Sequence, residues 1–128
     1  MLGLSFRTLM EAPAKVVAVL DDLLFTVKIN EAAKRLGQPV VFVKSERDAL
    51  DQAAASASLI IIDLNCGVLD PLHLIASLKA DENLKSIRTV GYVSHVQGDV
   101  KVAAQRAGCD VVLARSAFSQ NLPQLLRK

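Results

Sequence analysis

Five short runs of β-branched and aliphatic residues recur along this chain, and each is followed by a stretch with the three-to-four spacing of an amphipathic helix. The runs lie near residues 15–20, 40–44, 59–63, 89–94 and 110–114. Strands that alternate with helices through short connections must lie parallel, because each crossover carries the chain back over one face of the sheet. The alternation therefore predicts an α/β fold: a doubly wound, five-stranded parallel sheet with helices on both faces. Composition supports the same reading. Hydrophobic residues make up 52% of the chain but aromatics only 4%, so the core must be built from Val, Ile, Leu and Ala, as suits strands buried on both sides. The 128 residues fit one domain, read here as 15–128, preceded by an aperiodic leader or short packed extension over 1–14.

Local signals place the helices. Phe25, Ile29, Ala32, Ala33 and Leu36 share a face of a first helix over 23–36, and Gly37 supplies its left-handed stop. Ser45, followed by Asp48, marks the start of a short second helix through Ala55, with 53–58 as its end plus a loop. Asp70-Pro71 opens the third, the carboxylate as cap and the proline at the first helical position. Asp99 is expected to cap the fourth helix and Gly108 to end it. Ser119 is expected to cap the last, with Pro123 at its fourth residue, where a missing N–H costs no internal bond.

Charge and hydropathy exclude several classes. Fifteen basic and thirteen acidic residues leave +2, and no stretch interleaves Lys and Arg with aromatics, so no direct contact with nucleic acid is expected. The longest apolar runs fall far short of the roughly 20 residues that span a bilayer, and the N-terminus lacks a secretory pattern. The expectation is a cytoplasmic protein without membrane contact. Cys66 and Cys109 lack ligand spacing and read as small buried thiols.

Chemistry concentrates where the apolar runs stop. Asp21 and Asp22 follow the first run and Asp63 follows the third. In an open α/β sheet, ligands bind in the crevice outside the carboxyl ends of the strands. Carboxylates crowded there repel one another, which favours a bound cation.

In this order the residues resemble the response-regulator receiver domain, the CheY-like phosphoacceptor module of bacterial two-component signalling. The resemblance covers roughly 15–128. An acidic pair after the first strand, Asp21-Asp22, is followed by Asp63 after the third, a hydroxyl at Ser94 after the fourth and a basic residue at Arg115 after the fifth. Asp63 and Arg115 are 52 residues apart, and Gly108-Cys109-Asp110 stands where the family has Gly-Ala-Asp. The resemblance implies a flavodoxin-like (βα)5 fold with strand order 2-1-3-4-5 and Asp63 as phosphoacceptor. It implies Mg2+ held by Asp21, Asp22, Asp63 and the backbone carbonyl of Asn65, with Ser94 and Arg115 as the switch and phosphate-contacting residues. Such a site answers a physical need. A transferring phosphoryl group spreads negative charge, so alignment and neutralisation by a hard cation do most of the work. His95, beside Ser94, is a possible neighbour of the pocket, whereas His73 on the third helix has no evident partner.

The chain also departs from the family. Arg115 replaces a near-invariant lysine, and a planar fork cannot place a point charge in the lysine's geometry. Cys66-Gly67 replaces the usual Met-Pro, Pro71 the Gly that commonly follows Asp70, and Val112 the aromatic often found on the fifth strand. Two functions follow as expectations. The first is a stand-alone receiver, phosphorylated by a sensor histidine kinase or phosphotransfer protein and signalling through a downstream protein or self-association; the 13 residues after Arg115 suffice for the last helix only. The second is a phosphorylation-independent pseudo-receiver adaptor in which Arg115 pairs with the acids. An enzyme is not expected. Asp63-Leu64-Asn65 lacks the second aspartate of haloacid-dehalogenase-like phosphatases, and no Gly-rich phosphate loop is present.

Overall fold

In the computed structural model, which describes residues 14–94 and 98–127, the strand side chains sort into two buried layers. The strands are β1 (Lys15–Val19), β2 (Val40–Val43), β3 (Ala57–Asp63), β4 (Arg88–Val93) and β5 (Val111–Ala114). They form one sheet in the order β2-β1-β3-β4-β5, and every pairing is parallel. The helices are α1 (Leu23–Arg35), α2 (Glu46–Ser56), α3 (Pro71–Ala80), α4 (Gly98–Ala107), α5 (Arg115–Gln120) and α6 (Leu122–Leu126).

Alternate strand residues belong to opposite layers, because successive side chains point to opposite faces. Val16, Ala18, Leu59, Ile61, Val90 and Tyr92 pack with Phe25 and Ile29 of α1 and Phe118 and Leu122 of α5 and α6. Val17, Val19, Ile60, Ile62 and Val93 pack with Ala49 and Ala53 of α2, Leu74, Ile75 and Leu78 of α3 and Ala104 of α4. The central strand β3 is buried on both sides from Leu59 to Asp63, as an all-parallel sheet requires.

Helix ends follow sequence chemistry in most places. Asp70 caps α3, its Oδ1 accepting from the N–H groups of Leu72 and His73 at 3.1 Å each. Ser45 Oγ accepts from Asp48 N–H at 3.1 Å at the start of α2. Both glycine stops are left-handed, with φ of 66° at Gly37 and 114° at Gly108. Each closes the same motif: Gln38 N–H donates to the Ala33 carbonyl at 2.9 Å, and Cys109 N–H to that of Ala104 at 3.0 Å.

Three expectations require correction. Residues 57 and 58 are strand rather than loop: Ala57 pairs with Lys15, whose Nζ donates to the carbonyls of Gln52 and Ser56 at the end of α2. Those bonds satisfy helix carbonyls that would otherwise need a turn of their own. Asp99 lies inside the first turn of α4, which begins at Gly98, so it is not the cap. Ser119 lies inside α5, and the last helical segment is two short helices broken at Asn121, with Pro123 near the start of α6. The missing N–H of proline suits a helix start better than a continuing turn. The expectation for 1–14 falls, apart from Ala14, outside the described residues.

Candidate functional site

The alternation that builds the core also delivers the candidate residues. Asp63 carries on the parity of Leu59 and Ile61, so it faces the α1/α5 layer. Asp22, Ser94 and Arg115 lie just beyond β1, β4 and β5 with the parity of Ala18, Tyr92 and Leu113, the residues of that same layer. Asp21 has the opposite parity. Its Oδ1 accepts a long bond of 3.9 Å from the Cys66 thiol, in the loop after β3.

Asp22 is held from two sides. It is the N-cap of α1, with Oδ1 accepting from Leu24 N–H at 2.9 Å and Phe25 N–H at 3.4 Å. Its Oδ2 forms an ion pair with the Arg115 guanidinium. Arg115 in turn lies over the Phe25 ring, its Cζ 4.5 Å from the centroid, a placement that the weakly hydrated guanidinium plane favours. Asp22, expected as a metal ligand, is thus also a helix cap, the role that an aspartate directly before a helix favours.

Asp63 is 8% exposed at the end of the central strand. Its Oδ1 accepts from Asn65 N–H at 2.9 Å, the one hydrogen bond to this carboxylate among the described residues. Burial pushes its pKa up, the Asn65 bond and the nearby Arg115 charge oppose that, and Asp22 and Asp21 push it further up. Asn65 has a second role that the sequence did not suggest: its side-chain Oδ1 accepts from Ser94 N–H at 2.7 Å, tying the loop after β3 to the loop after β4. Ser94 is half-buried beside this tie. His95 lies outside the described residues.

The acids offer hard oxygen donors of the kind that magnesium prefers. Their present arrangement is not a chelating one: among the described residues no three His, Cys, Asp or Glu side chains come together as a metal site. The reason is visible at Asp22, both of whose oxygens are engaged by the helix cap and by Arg115. A guanidinium supplies the positive charge next to this carboxylate.

Outside the pocket, both cysteines are free and buried, and burial raises the pKa of each thiol. His73 does have a partner. Its Nδ1 is 2.8 Å from Glu46 Oε1, linking α3 to α2, and Ser77 Oγ donates to the same carboxylate at 3.2 Å. Asp110 gathers the amino-terminal edge of the sheet: its Oδ2 accepts from Thr89 N–H at 2.8 Å, Thr89 Oγ1 at 3.0 Å and Lys79 Nζ at 3.2 Å. Burial would raise its pKa, but these bonds together hold it below the ordinary carboxylate value. Among the described residues no helix is long and apolar enough to cross a membrane.

No protein-family model and no curated protein matches this sequence. Solved structures do match its fold. The chemotaxis response regulator CheY4 of Vibrio cholerae superposes with a TM-score of 0.77 at 20% identity, over 91% of this chain and 98% of that one. The phosphorylated cyanobacterial phytochrome response regulator RcpA gives 0.70 at 24% identity, over 90% of each chain. A Burkholderia pseudomallei response regulator, solved with a phosphorylated aspartic acid, a calcium ion and citrate, gives 0.74 at 23% identity, over 89% of this chain and 66% of that one. The chain has the CheY-like receiver fold, with the strand order expected for it.

Proposed function

We propose that this chain is a receiver module that accepts a phosphoryl group on Asp63 and signals by protein–protein contact. The observation that carries the reading is the placement of Asp63: a buried carboxylate at the carboxyl end of the central strand, with Asn65 and Ser94 joined beside it and Arg115 within electrostatic reach. A solved neighbour of the same fold that carries a phosphorylated aspartic acid supports it.

In this reading an ionised oxygen of Asp63 attacks the phosphorus of a phosphohistidine on a sensor kinase or phosphotransfer protein. The O–P bond forms as the N–P bond breaks, and the electron pair returns to the imidazole nitrogen. The Asn65 N–H holds one carboxylate oxygen so that the other faces the donor, and the Ser94 hydroxyl meets a phosphoryl oxygen of the product. Arg115 draws near as the carboxylate becomes a dianionic acyl phosphate, releasing Asp22. Magnesium, held by Asp21, Asp22, Asp63 and the Asn65 carbonyl once Asp22 is free, would supply neutralisation of the phosphoryl oxygens. The chain is then a phosphoacceptor rather than a turnover enzyme, acting in the cytoplasm on a downstream protein or a second copy.

Incubation with Mg2+ and a small phosphodonor, followed by intact-mass measurement, tests this. One phosphoryl adduct is expected, lost in Asp63→Ala; an adduct that survives that change places the chemistry elsewhere. A second reading is favoured by one observation, the Arg115–Asp22 pair: a phosphorylation-independent adaptor whose acids are held permanently by Arg115. Calorimetric titration with Mg2+ separates the two. Binding that disappears in Asp22→Ala fits the receiver, and no binding at all fits the adaptor.

A further inference from the structure

Beneath the pocket lies a polar group with nothing to bond. Tyr92 is 1% exposed, and among the described residues its hydroxyl is the one buried side-chain polar atom without a hydrogen-bond partner. An orphaned buried hydroxyl has given up its hydrogen bonds to water and gained none in return, so a fold that keeps one in a packed core invites a reason. A phenylalanine would pack the same ring without that cost.

The position supplies the reason. Tyr92 is the register partner of Asp63 on the neighbouring strand, and their side chains face the same layer. Its ring belongs to a three-ring cluster, 5.1 Å from Phe25 and 4.5 Å from Phe118, which are themselves 6.0 Å apart. Phe25 is the ring on which Arg115 rests while it pairs with Asp22. Burial, then the charges of Asp63 and Asp22, push the Tyr92 phenol up, with Arg115 opposing. The hydroxyl therefore stays a proton donor, within electrostatic reach of the acids and the guanidinium.

We infer that Tyr92 is a further binding residue of the Asp63 pocket, whose buried hydroxyl donates to an oxygen of the phosphoryl group carried by Asp63. The inference rests on the reading of Asp63 as acceptor. It assigns the floor of the pocket to β4 and gives the modified state a donor that the unmodified state leaves idle. It also gives the pocket a mechanical link to α1 and α5, because Tyr92 cannot shift without disturbing the Phe25 and Phe118 rings packed on it. That link bears on the missing β5 aromatic: Val112 belongs to the opposite layer, so coupling through Tyr92 runs on the other side of the sheet.

The chain contains one tyrosine and no tryptophan, so its intrinsic emission reports on Tyr92 alone. The test uses the whole chain with Mg2+ and beryllofluoride, a non-transferable mimic of the phosphoryl group. Fluorine NMR reads binding, and tyrosine emission reads the hydroxyl. Binding is expected to change the emission of the wild type, and Tyr92→Phe is expected to bind the mimic about tenfold more weakly, the range for a hydrogen bond to a charged group. Its thermal stability should be equal to or above that of the wild type, since only an unbonded hydroxyl is removed. Three results overturn the inference: bound mimic with unchanged emission, bound mimic with equal affinity in Tyr92→Phe, or weaker binding matched by a loss of stability, which would make Tyr92 a packing residue. Absence of a bound fluorine signal in the wild type overturns the acceptor reading itself, and the inference with it.

Discussion

Arg115 reaches from the first position of α5 to Asp22 at the cap of α1, and its guanidinium carbon sits 4.5 Å from the centre of the Phe25 ring. The contact brings the start of one helix against the start of another across the mouth of the pocket. It combines an ion pair with a guanidinium over the ring face, a combination that the compact, strongly hydrated ammonium of a lysine would reproduce less well.

Replacing Arg115 by lysine is therefore expected to loosen Asp22 and strengthen Mg2+ binding. A partly exposed ion pair of this kind is worth about 0.5–1 kcal/mol after screening, which corresponds to roughly a two- to fivefold lower Kd. Calorimetric titration of Arg115→Lys against the wild type checks it. Equal or weaker Mg2+ binding in the lysine variant would show that Arg115 does not compete for the acid.

The two roles of Asp22 separate by substitution. Asparagine caps helices about as well as aspartate but carries no charge, so Asp22→Asn should keep the helix start while losing the Arg115 pair. Asp22→Ala loses the bonds to Leu24 and Phe25 as well and should cost about 1 kcal/mol more. Urea unfolding of both variants in the absence of divalent ions reads the difference; equal midpoints would mean that the cap contributes nothing.

Asp63 carries a cost for its position. Burial raises its pKa above the ordinary 3.8, so the folded chain binds a proton more tightly than the unfolded chain does. Stability is then fully present below the unfolded value and is lost as pH rises through the folded one. Asp63→Asn keeps the oxygen that accepts from Asn65 and removes the charge. It should raise the urea midpoint at neutral pH, with the gain vanishing in acid near the unfolded value. A lower midpoint at neutral pH would show that the ionised carboxylate is stabilising in this pocket.

The His73–Glu46 contact predicts a second pH response of the same sign, this time from a base. The hydrogen bond to Glu46, then its charge, raise the His73 pKa above the ordinary 6.5. The stabilising contact is therefore complete below that value and is lost as pH rises through the folded one. A proton NMR titration of the ring should give a midpoint above 6.5 that falls back in Glu46→Gln. An unmoved midpoint in that variant would assign the contact no electrostatic weight.

The sheet was legible because its strands are runs such as Leu59-Ile60-Ile61-Ile62, whose β-branching and burial leave no other element. The caps at Ser45 and Asp70 and the stops at Gly37 and Gly108 were legible because each acts within a few residues of itself. What stayed hidden depends on distance along the chain. Pairing of Arg115 with the acids was one of the two expectations, but nothing near Arg115 says that Asp22, 93 residues earlier, is the acid it takes, and nothing near Asn65 says that its side chain receives Ser94 N–H. Ser119 misled because a serine after an apolar strand looks like a cap, whereas the strand here runs straight into a helix at Arg115. Tyr92 passed as one more apolar strand residue, since its lack of a partner exists only once the core is built around it.

The bonds that Asp110 collects from Thr89 and Lys79 sit at the amino-terminal edge of β4 and β5, the end of the sheet opposite the acids. At that end these side-chain bonds add to the ladder that pairs the two strands from Val90–Val111 to Val93–Ala114. The two ends of β4 and β5 thus differ in what their side chains do: those at Thr89 and Asp110 fasten the strands to each other and to α3, while the chain that leaves Val93 and Ala114 delivers Ser94 and Arg115 to the acids.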